Sequence, residues 1–236
     1  MGTNTRIGRH WIFPDDLVVV AVGLTASRTK RKQALRGYRQ RLPCRVCLPW
    51  LPYFLGLRAS SAWLSYSVRK ELAKRPNARL HVIAYFGGGV LVRLLHARGV
   101  RLPIQRAVWN RGPAQERVAE AVSTRMSSFV LTLLGRRSVV DLARIFPDRL
   151  PYPAVEQYNG VIVEAKASAL ARRLGIGDEP LDLSQQDLLA LVPGADAAIS
   201  VPLSHDDVYS DPRFLDQAAA FISTGAFLNA QQPELT

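Results

Sequence analysis

"LHVIAYFGGGVLVRLL", Leu80–Leu95, is the stretch whose reading decides the fold. Leu80–Ala84 is a short apolar run of the kind a strand buried on both faces requires. Gly87, Gly88 and Gly89 then break the run, and the apolar residues from Val90 onward recur at helical spacing. Strand, tight turn and helix follow one another with no linker. Small residues at such a turn let the helix pack close to the strand. The first turn of the helix also offers free N–H groups to an anion.

Working outward, the pattern repeats. "LVVVAVG", Leu17–Gly23, is a continuous Val-rich run that predicts another doubly buried strand. A helix over about Lys30–Arg41 follows, then a strand at "CRVCL". The segment "SSAWLSYSVRKELAKRP" repeats apolar residues at helical spacing, Ala62, Tyr66 and Leu72 with Trp63 and Val68, and stops before Pro76. Strands are predicted again at "RLHVIAY", Ile104–Trp109, Val161–Ala165 and "AAISVPL", with helices at Gly88–Ala97 and "LLALV". A C-terminal helix is opened by Asp211 and Pro212 and stopped near Gly225. Strands alternating with helical crossovers predict an α/β chain: a mostly parallel central sheet with helices on both faces, as one domain over 1–236. Between 112 and 152 the alternation lapses. Two amphipathic helices, "QERVAEAVSTRMSSFVLTLL" and "SVVDLARIF", precede the Pro-rich "FPDRLPYPAV", which predicts a helical, lid-like insertion over the sheet edge.

The chain has 236 residues, 48% hydrophobic, enough for one well-packed domain. Its formal charge of +12 is unevenly spread. Residues 175–236 carry ten Asp or Glu against Arg213 alone, so the preceding part carries +21. An anionic membrane surface is one partner such asymmetry can serve. The amphipathic Gln115–Leu134 segment, with Arg117 and Arg125, adds to that reading. No stripe of basic and aromatic residues is read on one element, so no nucleic-acid partner is expected. Cys44 and Cys47, in "PCRVCLPW", point to opposite faces of a strand and lack a second Cys pair or His cluster, so they read as structural thiols. No metal or cofactor is expected. "DLVVVAVGL" is too short to span a bilayer, and no signal peptide is visible, which implies a cytoplasmic chain.

Two readings of the glycine turn compete. A dinucleotide turn fits Gly87 and Gly89, but Val92 stands at the third glycine position and no acidic residue follows at the right distance. The other is the nucleophile elbow. "HVIAYFGGGVLVR" resembles the elbow strand and helix of the α/β-hydrolases of the lipase and esterase type, usually Gly-His-Ser-x-Gly-Gly. Ala84 takes the first Gly, Tyr85 the His, Phe86 the Ser, and Gly88 and Gly89 the paired glycines. "VVVAVGLTAS" is similar to the family's first central strand and oxyanion turn, with Val22 in place of a His. "AVWNRGPAQERVA" is similar to the next strand and its loop. "VPLSHDDVYSDPRFLDQAAAFISTGAF" is similar to the terminal strand, catalytic His loop and closing helix. The resemblance implies His205 as the catalytic histidine, Asp182 or Asp178 as the acid, and an oxyanion-hole region at Gly23, Leu24, Gly87 and Gly88.

Phe86 departs from that pattern in the one place chemistry cannot spare. A phenyl ring has no lone pair to attack a carbonyl and no proton for a base to remove. Tyr85, its neighbour, points to the other side of the strand. The expectation is a hydrolase scaffold silenced at its nucleophile, binding an acyl or lipid-type ligand or a protein partner. The alternative is an active serine esterase with a displaced nucleophile, at Ser27, Ser204 or a serine of the insertion.

Overall fold

A computed structural model describes residues 11–24, 26–112, 121, 124, 137–145, 149–176 and 183–228. Six strands form one sheet: β1 (Leu17–Ala21), β2 (Arg45–Cys47), β3 (Leu80–Ala84), β4 (Ile104–Arg111), β5 (Tyr158–Lys166) and β6 (Ala197–Ser204). Their order is β2-β1-β3-β4-β5-β6, and all five pairings are parallel. Every residue of β1 and β3 is buried, as suits the unbroken apolar run of β1 and the run of β3 that only His81 interrupts.

The described helices are α1 (Arg28–Arg41), α2 (Leu57–Ala73), α3 (Phe86–Ala97), α4 (Arg137–Ile145), α5 (Ala169–Arg173), α6 (Gln185–Ala190) and α7 (Pro212–Thr224). Local chemistry sets their ends. The Ser27 side chain caps α1 by accepting from the Lys30 amide, and Asp211 caps α7 ahead of Pro212. Gly225 closes α7 in the left-handed conformation, at φ 80°. The sheet's pleat divides the helices between its faces. Ala84 faces Gly89 of α3, whereas Tyr85, next along the chain, packs against Tyr38 of α1 and Phe214 of α7. Buried apolar residues of all six strands share a single core.

The described residues therefore match the predicted sheet strand for strand, and α4 matches the second helix predicted in the insertion. The first, at Gln115–Leu134, lies outside the described residues apart from isolated positions. The helix expected from the spacing of Ala62, Trp63 and Tyr66 is α2, and these three residues do not line its buried face. That face is Leu57, Ser60, Ser61, Leu64 and Val68, while Ala62, Trp63 and Tyr66 are exposed. Two stripes at helical spacing exist in this segment. The stripe with two small serines is the one that fits against its neighbours, and the bulky aromatics are left outside.

A buried carboxylate stands at the amino ends of β1 and β3, away from the turns. Asp16 is buried and accepts hydrogen bonds from the Phe13 amide and from Arg79 and His81. Cys44 and Cys47 are free, half-buried thiols; burial raises both, and Cys44 is pushed up to about 12.

Candidate functional site

The strand order reverses between β1 and β3: the chain leaves β1 for β2 on one side and returns to β3 on the other. That reversal is a topological switch point, and ligands of open α/β sheets bind beyond the carboxyl ends of the strands at such points. The turns at that point are Gly23–Leu24 after β1 and Tyr85–Gly89 after β3.

Close approach explains the glycines. A Cβ on Gly88 would stand 2.0 Å from the Ala21 carbonyl oxygen, so α3 can reach β1 only over a bare Cα. A Cβ on Gly87 would stand 2.9 Å from the Leu24 nitrogen and 3.2 Å from the Gly23 Cα. The two turns touch, and backbone amides of Leu24 and Gly87 meet at the contact. Gly87 lies in the first turn of α3, where an N–H has no acceptor inside the helix.

His205 follows β6. Its Nδ1 lies 2.8 Å from Oε1 of Glu164, a buried residue near the end of β5. Burial alone would push the His205 imidazole down, but the Glu164 carboxylate outweighs it and holds the pKa above the ordinary 6.5. With Nδ1 turned to the carboxylate, Nε2 faces the turns. A Cβ on Gly23 would stand 3.7 Å from that nitrogen, 3.9 Å from the Gly87 nitrogen and 2.7 Å from the Tyr209 hydroxyl. An imidazole nitrogen, a backbone amide and a phenol thus converge on one glycine.

The loop that carries His205 is tied on several sides. Asp206 accepts from Lys30 of α1 and from the first amide of α5. Tyr209 is fully buried, stacks on Tyr85 at 4.5 Å, and its hydroxyl has no hydrogen-bond partner among the described residues. The Tyr85 hydroxyl bonds Tyr38 at 3.0 Å and donates to the Val208 carbonyl. Tyr85 therefore points away from the turn, as its place in the strand predicts.

Phe86 is buried at the head of α3 and its ring lies beneath the Arg111 guanidinium, at 5.8 Å. It shares a small cavity with Trp109, Arg111 and Tyr152. Of the residues predicted for the site, Gly23, Leu24, Gly87 and His205 meet at one contact, Gly88 packs next to it on Ala21, and the Phe86 ring lies apart in the cavity with Trp109, Arg111 and Tyr152. Asp178 and Asp182 lie outside the described residues, and the carboxylate found on His205 is Glu164. Of the serines offered as displaced nucleophiles, Ser27 caps α1, Ser204 donates to Asp207 at 2.6 Å and Ser138 of the insertion donates to the Tyr53 carbonyl, while the other serines of the insertion lie outside the described residues. Among the described residues no group of His, Cys, Asp and Glu could hold a metal ion.

Solved structures resemble this arrangement at low sequence identity. A metagenomic carboxyl esterase matches with TM-score 0.55 and 16% identity, over 89% of this chain and 75% of that one. A mature lipase from Bacillus licheniformis matches with TM-score 0.54 and 12% identity, over 89% and 92%. An extracellular α/β-hydrolase from a Paenibacillus species matches with TM-score 0.50 and 12% identity, over 89% and 99%. No protein-family model and no curated protein matches the sequence. From the six parallel strands, their order and these neighbours, the chain has the α/β-hydrolase fold of esterases and lipases.

Proposed function

We propose that this chain is a non-hydrolytic member of the esterase and lipase scaffold that binds an acyl or lipid-type ligand at the Gly23–Gly87 contact. The observation that carries the reading is a phenylalanine, Phe86, at the head of the glycine turn whose Gly87 meets Gly23, while the imidazole of a His205–Glu164 pair faces the same glycine. Acyl transfer through a Ser-His-acid triad needs an alcohol between the imidazole and the carbonyl. Phenylalanine supplies none, and losing the nucleophile leaves roughly 10³–10⁴-fold over water from the remaining donors. The amides at Leu24 and Gly87 are the groups that would hold a ligand's carbonyl oxygen.

The test is hydrolysis of short and medium chain nitrophenyl esters by the wild type, Phe86→Ser and Phe86→Ser/His205→Ala. The reading expects an inert wild type, turnover by Phe86→Ser, and loss of that turnover in the double variant. Robust turnover by the wild type, with one serine labelled by a fluorophosphonate, refutes it and favours a displaced nucleophile.

A further inference from the structure

An unusual row of exposed aromatics runs beside the site. Trp50, Phe54, Trp63 and Tyr66 are each between 43% and 56% exposed, and Leu55, next to Phe54, is 54% exposed. The rings form one chain of contacts: Trp50 to Phe54 and to Trp63 at 6.0 Å each, and Trp63 to Tyr66 at 5.8 Å. Contiguous apolar surface of this kind marks an interaction site.

Charge completes the surface. Lys70 sits 5.8 Å over the Tyr66 ring, and Tyr66 with Arg69 and Arg98 lines an open groove between α2 and the end of α3. Among the described residues neither Arg58, Arg69, Lys70 nor Arg98 pairs with a carboxylate. The acidic neighbour Glu71 is instead occupied by Arg45, Lys74 and Arg75. Apolar rings bordered by unpaired cations are the composition that lies in the headgroup layer of a negatively charged bilayer.

We infer that the Trp50–Phe54–Trp63–Tyr66 row docks the protein on an anionic phospholipid surface, with Arg69, Lys70 and Arg98 facing the phosphates. Nucleic acid fits less well. The rings meet at interplanar angles of 51°, 89° and 50°, so each covers its neighbour rather than presenting a series of parallel platforms for bases. Leu55 offers a base nothing to stack on. The surface also touches the candidate site. The Tyr53 hydroxyl, in the turn that carries Phe54 and Leu55, donates to the Val22 carbonyl at 2.5 Å, immediately before Gly23.

The experiment is vesicle flotation of the full chain with no ligand added, so its outcome is independent of any ester chemistry. Phosphatidylcholine vesicles are compared with vesicles containing phosphatidylserine, at low and high salt. The proposal expects binding to the anionic vesicles, weakened by salt, with a blue shift of tryptophan fluorescence. Trp50→Ser/Trp63→Ser and, separately, Arg69→Glu/Arg98→Glu should each weaken partitioning about tenfold or more. Both replace exposed side chains, and circular dichroism confirms folding. Three results overturn the proposal: no binding to anionic vesicles, binding that neither variant alters, or self-association in sedimentation that Trp50→Ser/Trp63→Ser abolishes. A gel shift with single-stranded nucleic acid stronger than the vesicle binding also overturns it.

Discussion

Replacing Gly88 by Ala tests the contact on which the site is built. The new Cβ would stand 2.0 Å from the Ala21 carbonyl oxygen, 2.4 Å from its carbon and 2.8 Å from its Cβ. Ordinary contact begins near 3.4 Å, so α3 and β1 must part by roughly 1.4 Å. Neither can move freely, because β1 is paired on both sides and the same carbonyl accepts from the Tyr85 amide at 2.9 Å. Overpacking of this severity belongs at the upper end of its usual range, about 3 kcal/mol. Loss of the Tyr85 bond adds about 1 kcal/mol. Alanine's better helix propensity returns about 1 kcal/mol. The net expectation is a loss of about 3 kcal/mol, or a melting temperature lower by roughly 6–12 °C for a chain of this size. Gly89→Ala is the control one residue away. Its Cβ would meet Trp109 at 3.5 Å, an ordinary contact, so the variant should keep or gain stability. Calorimetric melting of both variants beside the wild type checks the pair. A Gly88→Ala protein melting within about 2 °C of wild type, or a Gly89→Ala protein falling as far, refutes the packing of α3 on Ala21.

Other expectations follow from the titratable groups. Glu164→Gln keeps an acceptor for Nδ1 but removes the charge that offsets burial, so the His205 pKa should fall below its wild-type value in a histidine NMR titration; an unchanged titration would mean Glu164 is not its partner. The wild-type pKa is raised, so His205 contributes stability that is full below its unfolded pKa, about 6.5, and is lost as pH rises through the folded value. His81 works in the opposite sense. Burial lowers it to about 4 despite Asp16, with Arg79 and Arg106 adding to the fall. Its stability is full above about 6.5 and is lost towards pH 4, about 3 kcal/mol in all, so urea midpoints should drop across that window and His81→Gln should flatten the slope. Cys44 and Cys47, with thiols raised by burial, should react slowly with a disulfide reagent at pH 8 in the native chain and quickly once unfolded.

The sheet was legible because Leu17–Ala21 is apolar at every position and Leu80–Ala84 at every position but His81, and such short runs bounded by turn residues suit a doubly covered strand. The turns were legible because two carry glycines that a backbone contact demands. The carboxylate partner of His205 was not. The resemblance puts the acid between the "VIVEA" strand and His205, at Asp178 or Asp182, whereas Glu164 is part of β5. A signal was present: a Glu closing an otherwise apolar run, "VIVEA", places an ionisable group in a buried strand, and such a group needs a partner. The aromatic row was missed for a different reason. Hydrophobic spacing locates a helix but does not say which of two stripes the neighbours accept, and in α2 the serine-bearing stripe was accepted. The unpaired Tyr209 hydroxyl depends on the packing of α7 and of the His205 loop, which no local pattern encodes.

The parallel order of the sheet has a consequence for how the protein comes into being. A nascent chain that has released β1 to β4 already holds both glycine turns, yet neither member of the imidazole–carboxylate pair. Glu164 arrives with β5, and His205 only after β6 has added to the far edge of the sheet. The contact between Gly23 and Tyr209 joins opposite ends of the chain, so closing it carries the entropy of a very long loop. The convergence of imidazole, phenol and backbone amide on Gly23 is therefore the last arrangement the molecule acquires on the ribosome and the first it surrenders to a protease that cuts ahead of β6.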